Sequence, residues 1–370
     1  MLEKRQSNFE ALRVLSIFFI LCFHCVFHSG IHFESFSFNV YIIKNFYFLG
    51  ELGVNFFLIT SGFFQINKKF KFKKLVYLFF EFLFYQLLSF LIRSLFLKDV
   101  SILSLYFLKH ILHPTEYWFY IAYCLLYLFS PFVNSFLKQM QKKKFLIFLG
   151  VCIFFYSFYP TLLAIVDGGN TENYLFFNRF IWAIIMYSIG AYISLFSVNH
   201  KYKKIHFGLC AFFSFVVMTT SILLIENMPF FNKHIILEST FFWQINTVPM
   251  LVLSISVFCL FSLWNVGYSY IINRIATTTL GIYLLTDGEL RTVIWVNLFD
   301  TASNLNYNAV YSVLYIVGVS LLVLIIGSMV DFARQLLVSL VKIVIERMRI
   351  ISMLESTPFY VTIRSIFDLQ

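Results

Sequence analysis

Long apolar windows separated by short polar breaks run through the whole chain. Ten windows of spanning length can be drawn, at about 9–29, 46–66, 75–97, 117–137, 145–165, 177–198, 205–225, 241–262, 279–299 and 308–330. Each is close to the roughly 20 apolar residues that a helix needs to cross the hydrocarbon of a bilayer. In lipid a segment must satisfy its own backbone polar groups, so an apolar window of this length folds as a helix. The pattern predicts an all-α, polytopic membrane helix bundle with about ten transmembrane helices. The breaks alternate in charge. Lys4 and Arg5 precede the first window, KKFKFKK (Lys68 to Lys74) follows the second, KQMQKKK (Lys138 to Lys144) the fourth and HKYKK (His200 to Lys204) the sixth. Arg274 follows the eighth window, and Arg334, Lys342, Arg347 and Arg349 follow the tenth, whereas the intervening breaks hold only Lys44, Lys98, Lys109 and Lys233. Basic loops stay on the inner side, which puts both termini in the cytoplasm.

The first window lacks a small-residue cleavage site, so it reads as a retained helix and not a removed signal. After Asp331 the segment FARQLLVSLVKIVIERMRI mixes apolar residues with spaced charges, as expected of a helix lying along the inner surface. The organisation expected is a membrane-embedded domain over 1–331, then an interfacial amphipathic helix and cytoplasmic tail over 332–370. The windows show few Gly or Pro interruptions and no internal repeat.

Composition agrees with the pattern. Of 370 residues, 60% are hydrophobic and 12% charged, with mean hydropathy +0.82, whereas a soluble domain is about half apolar and about a quarter charged. The net charge of +10 is explained by inner-face loops meeting anionic lipid, so the lipid bilayer is the expected partner and nucleic acid is not. All six cysteines (Cys22, Cys25, Cys124, Cys152, Cys210, Cys259) sit in apolar runs, as buried thiols do. Cys22 and Cys25 have no second such pair, and His110, His113 and Glu116 are irregularly spaced, so no metal site is expected.

Against this background the first window is unusual, because Asn8 to Gly30 carries Glu10, Arg13, His24 and His28. Ionisable groups at membrane depth are expensive and mark function or internal pairing. Arg13 and His24 are eleven residues apart, about three turns and roughly 16 Å on one stripe, and Glu10 is placed to neutralise part of the Arg13 charge. His24 is either a general base, since imidazole titrates near neutral pH, or a packed polar residue. Arg13 either binds phosphates or snorkels to headgroups. His28 and His32 read as interfacial. Asn55, Ser61 and Gly62 either line a cavity with these residues or pack helices. Trp118, beside Glu116, reads as an interface anchor. Asp287, Glu289 and Arg291 read as an internal ion pair holding the ninth helix. Arg93 and Arg179 are rim charges or substrate contacts.

Four stretches, in order, resemble the membrane-bound acyltransferase-3 family, whose members O-acetylate bacterial surface sugars. FEALRVLSIFFILCFH is similar to the family's opening of Arg, ten residues, His. LGVNFFLITSGFF (Leu52 to Phe64) resembles its Gly-Val-x-hydrophobic-Ser-Gly-Phe signature, YWFYIAYCLLYLFSPFVN (Tyr117 to Asn134) its Trp-Phe…Tyr-Leu-x-x-Pro stretch, and TTTLGIYLLTDGELR (Thr277 to Arg291) its Phe-Gly-x-Tyr-Leu-x-His run. Two departures stand out: Thr286 occupies about the place of that last His, and the inner loop has lysines where the family commonly has arginine. The resemblance implies an integral plasma-membrane O-acetyltransferase of a bacterium, moving acetyl from acetyl-CoA to a hydroxyl of a capsular, exopolysaccharide or cell-wall glycan. His24 would be the base, and Arg13 with Lys71, Lys73 and Lys74 would hold the donor. Asn55 and Ser61 would line the cavity, with Trp118 and Glu116 near the acceptor. The alternative is a transporter or flippase of a lipid-linked glycan, whose polar residues would line a path.

Overall fold

A computed structural model of the chain describes residues 5–33, 35–97, 116–167, 170–174, 177–227 and 239–347. His110, His113, the inter-helix Lys98, Lys109 and Lys233, and the tail from 348 onward lie outside them. The described residues form helices and turns without a strand, and eight of the helices are long and apolar enough to cross a membrane. The chain is a polytopic helical bundle. In order, α1 is Ser7–Phe27, α2 Phe38–Lys44, α3 Tyr47–Gln65, α4 Phe72–Ile92 and α5 Trp118–Lys138. Next come α6 (Lys142–Val166, with a π-helical stretch at Phe154–Phe158), α7 (Arg179–Phe196) and α8 (Lys204–Asn227). The remaining helices longer than one turn are α9 (Val248–Ser262), α10 (Tyr270–Ile275), α11 (Thr279–Thr286) and α12 (Ala309–Arg347).

Three of the ten predicted windows take a different form. The eighth contains only the 15-residue α9, whose start is set by Pro249 in the first turn, where a missing N–H costs nothing. The ninth is broken. It runs as α10, a 3₁₀ turn at Ala276–Thr278 and α11, then stops at Asp287 in extended geometry (φ −101°, ψ 167°) and resumes through Gly288 at φ +71°. A left-handed φ is cheap for glycine alone, so the break is written at Gly288. The tenth continues unbroken through Asp331 to Arg347. The separate surface helix expected from residue 332 is therefore an extension of α12, because nothing at 331 ends a helix.

Polar residues sit inside the bundle and apolar ones face outward, as bilayer solvent demands. Asn55, Ser254, Thr286 and Asp331 are fully buried, while Phe80, Phe132, Leu209, Phe213 and Ile325 are exposed. The centre is α1 and α3, with α7, α9 and α12 packed around them and α11 held between α4 and α12. Small residues set the closest approach: a Cβ on Gly190 of α7 would lie 2.0 Å from the Ile59 carbonyl oxygen of α3, and one on Gly62 1.9 Å from that of Tyr187. Gly62 is therefore a helix-packing residue. Gly190→Leu is expected to force α3 and α7 apart and to lower stability by at least the ~1–3 kcal/mol of a typical overpacked site, read as an earlier thermal transition of the detergent-purified protein.

Candidate active site

The basic ends of α1, α3, α4 and α5 enclose a groove built of two cavities. One, of about 350 Å³, is lined by Arg13, Ile20, Phe57, Ser61, Lys74, Phe119 and Tyr283 among others. The second, of about 690 Å³, adds Lys68, Lys69, Lys71, Tyr127 and Tyr187. Arg13, Ser61, Lys74 and Tyr123 belong to both walls, so the two are one space, within the ~300–1,000 Å³ range of small-molecule sites or somewhat above it. The wall of the larger cavity carries Arg13 and four lysines and no carboxylate. Such a concave, cationic surface is suited to a multiply charged anion.

Arg13 and Lys74 are held by their neighbours. Arg13 Nη1 donates to both Glu10 carboxylate oxygens at 3.2 Å, leaving the rest of the guanidinium fork facing the groove. Lys74 Nζ donates to the Tyr123 hydroxyl at 3.1 Å and lies 4.2 Å from the centre of the Tyr127 ring, a cation–π contact that fixes its direction. Tyr127 also clamps the backbone of Lys71, accepting from its N–H at 3.0 Å. Ser61 donates to the Phe57 carbonyl at 2.8 Å. Lys73 is exposed and lines neither cavity.

The inner wall of the groove ends at Ile20 of α1 and Tyr283 of α11. Both helices run away from the basic end, and four residues further along each stand His24 and Asp287, one turn or about 6 Å deeper. His24 is 5% exposed and its Nδ1 is buried without a hydrogen-bond partner. Its ring lies 5.0 Å from that of His28 and 6.5 Å, edge-on, from Trp295. His28 Nε2 is 3.9 Å from Asp287 Oδ1, and one donor atom from each of His24, His28 and Asp287 falls within 4.8 Å of the others. This is the one such donor set among the described residues, and it could hold a divalent ion. Neither imidazole, however, has the supporting hydrogen bond on its other nitrogen that metal-bound histidines generally carry.

Several predicted residues lie elsewhere. Asn55 faces away from the groove: its amide donates to the Ile245 carbonyl (3.1 Å) and Ser254 Oγ (3.2 Å), and its oxygen accepts from Trp182 Nε1 at 3.0 Å. Its polar capacity is spent joining α3, α7 and α9. Trp118 and Glu116 are at the opposite end. The Arg179 guanidinium covers the Trp118 ring at 4.2 Å and pairs with Glu51 (3.2 Å) and Glu172 (2.7 Å), while Glu116 pairs with Arg291 at 3.5 Å. Arg93 and Arg179 are thus internal partners. Of Asp287, Glu289 and Arg291, expected to hold the ninth helix by an internal ion pair, Glu289 pairs with Arg93 of the π-helical end of α4 and Arg291 with Glu116, while Asp287 lies beside His28. Local spacing cannot reveal partners that come from other helices. Tyr283 and Tyr123, absent from the expected site, line its wall; Tyr283 is the tyrosine of the Gly-x-Tyr-Leu run, and Tyr123 lies within the Tyr117 to Asn134 stretch. Thr286 donates to its own helix at Ile282 (2.9 Å) and is buried.

A cationic groove sunk between helices long and apolar enough to span a membrane, with a buried imidazole one turn beyond its floor, marks a multi-pass membrane protein with a polar centre inside its bundle. The acyltransferase-3 family model, described as an acyltransferase domain, matches residues 6–331, and the chain belongs to that family, which makes it a membrane acyl-transfer protein by class. No curated protein and no solved structure matches it.

Proposed function

We propose that this protein is an O-acetyltransferase of the plasma membrane that moves acetyl from acetyl-CoA to a sugar hydroxyl of a bacterial surface glycan. The supporting observation is the groove whose cationic wall includes Arg13, Lys71 and Lys74 and whose floor stops one helical turn short of His24. In this reading the basic face is cytoplasmic, as the loop charges require. The donor's phosphates lie on the lysines and on Arg13, where a guanidinium can grip an anion bidentately, and the pantetheine arm points inward past Ser61 and Ile20. His24 accepts the proton of the acceptor hydroxyl as its oxygen attacks the thioester carbonyl. A dry site makes that proton transfer and the charges it creates sensitive to every nearby polar group.

The test is ester formation by purified protein in liposomes supplied with acetyl-CoA labelled in the acetyl group and a glycan from a deletion strain. Label in a base-labile ester supports the reading; free CoA without ester, or no turnover, overturns it. The broken helix at Asp287–Gly288 favours one other reading, a transporter or flippase of a lipid-linked glycan, since many transporters form their substrate sites from discontinuous helices. A deletion strain separates the two. Loss of O-acetyl groups from a glycan still exported at full amount supports acyl transfer, whereas loss of export supports the flippase.

A further inference from the structure

Every strongly buried carboxylate among the described residues except one is paired with an arginine. Glu10 has Arg13, Glu51 has Arg179, Glu289 has Arg93 and Asp331 has Arg334. Asp287 is 7% exposed, and its nearest cation-forming neighbour is an imidazole, His28 at 3.9 Å. Its carboxylate accepts from the Gly288 N–H at 3.0 Å and lies against the Tyr283 hydroxyl. Arg291, one turn further on, is ion-paired with Glu116.

Burying a carboxylate without a permanent cation is costly, and the chain breaks a helix to do it. The extended geometry at Asp287 and the positive φ of Gly288 carry the carboxylate to α1, and the Tyr117 ring closes on Gly288 so tightly that a Cβ there would lie 2.2 Å from it. On the facing helix, the spacing of four residues between His24 and His28 puts both rings on one side. The three groups converge, and no hydrogen bond joins them.

We propose that Asp287 and His28 are positioning residues of the His24 centre, the carboxylate serving as counter-charge to an imidazolium that exists only during transfer. This rests on the acyl-transfer reading. In the step, the acceptor oxygen forms a bond to the thioester carbonyl carbon and the carbon–sulfur bond breaks. The hydroxyl proton passes to a His24 nitrogen and then to the departing thiolate, so ester and thiol form with no net proton gained or lost. Between those two transfers His24 is a cation in a buried site, and Asp287, acting across His28, offsets that charge. An interaction present only at the transition state raises kcat and leaves donor affinity alone.

Initial rates with acetyl-CoA, measured on purified protein in liposomes, test this with Asp287→Asn, Asp287→Glu, His28→Gln and His24→Ala. The expected result for Asp287→Asn is a kcat lowered about 100-fold, in the range of acid–base effects, with the KM for acetyl-CoA unchanged. Asp287→Glu regains most of that loss, and His28→Gln lowers kcat by a smaller factor. A merely structural Asp287 would instead lower thermal stability in both substitutions and move KM with kcat. Wild-type kcat in Asp287→Asn, with His24→Ala inactive, overturns the proposal and leaves the acyl-transfer reading standing. Activity in His24→Ala overturns the His24 base itself. Should Asp287→Asn fail to fold, Asp287→Glu and His28→Gln decide, and wild-type kcat in both overturns the proposal.

Discussion

His24→Ala is expected to reach the membrane at wild-type level and to lower acetyl transfer by about 10²–10⁴-fold, the usual contribution of a positioned general base. The prediction separates chemistry from folding because of how the imidazole is held. In the structure it makes no hydrogen bond, its Nδ1 is an orphan, and its contacts are ring edges of His28 and Trp295. Removing it breaks no hydrogen-bonded network, so the structural penalty is that of the space left behind, on the order of 1–3 kcal/mol at a buried site. An unsatisfied buried nitrogen itself costs about 1–3 kcal/mol, and that penalty disappears with the ring. The two effects oppose one another. His24→Gln keeps a polar side chain of similar reach but cannot take up a proton near neutral pH, so it is expected to fold as well as the parent and to be equally inactive. Ester content of the surface glycan, set against the amount of protein in the membrane, is the measurement. Wild-type acetylation by either variant would remove the imidazole from the mechanism and leave only the class of protein established by its family.

The sequence reveals those parts of the site that depend on one helix. Arg13 and His24 share a stripe because eleven residues make about three turns, and their order along α1 matches the groove and the buried centre beyond it. Glu10 pairs with Arg13 as its spacing requires. The loop lysines that obey topology also include three that line the groove beside Lys71 (Lys68, Lys69 and Lys74). What depends on two helices is not legible. Asn55 and Ser61 belong to one motif, yet six residues rotate a helix by about 600°, so they look in directions about 120° apart. Only the placement of Trp182 and Ser254 decides which of them meets the groove. The ninth window looks continuous because the apolar residues on either side of Asp287, Gly288 and Glu289 keep its mean hydropathy high, while the positive φ of Gly288 that breaks it lies against the ring of Tyr117, 171 residues earlier in the chain. Arg93 for Glu289 and Glu116 for Arg291 are likewise distant in sequence. The mixed pattern from residue 332 does not mark a helix boundary, because the helix of the preceding window runs on to Arg347.

Arg13 gives the complementary prediction, a loss in binding and not in chemistry. It stands where the two halves of the groove meet, with its side chain 31% exposed and one edge of its guanidinium committed to Glu10. The remaining edge can donate to a phosphate, and a hydrogen bond to a charged partner contributes about 1.5–3 kcal/mol, equivalent to roughly a 10–150-fold change in affinity. Arg13→Ala is therefore expected to raise the KM for acetyl-CoA by a factor in that range while kcat at saturation falls little, because His24 lies about 16 Å further along the helix. Arg13→Lys keeps the charge and loses the fork, so it should fall between the two. Glu10→Gln supplies the control of opposite sign: with its carboxylate partner gone the guanidinium is freer to meet an anion, and donor KM should hold or fall. Added salt should weaken donor binding in the parent and less so in Arg13→Ala, since part of the screened attraction is already lost. If Arg13→Ala lowered kcat with an unchanged KM, the guanidinium would belong to the reacting centre and the donor's phosphates would have to be sought among Lys68, Lys69, Lys71 and Lys74 alone.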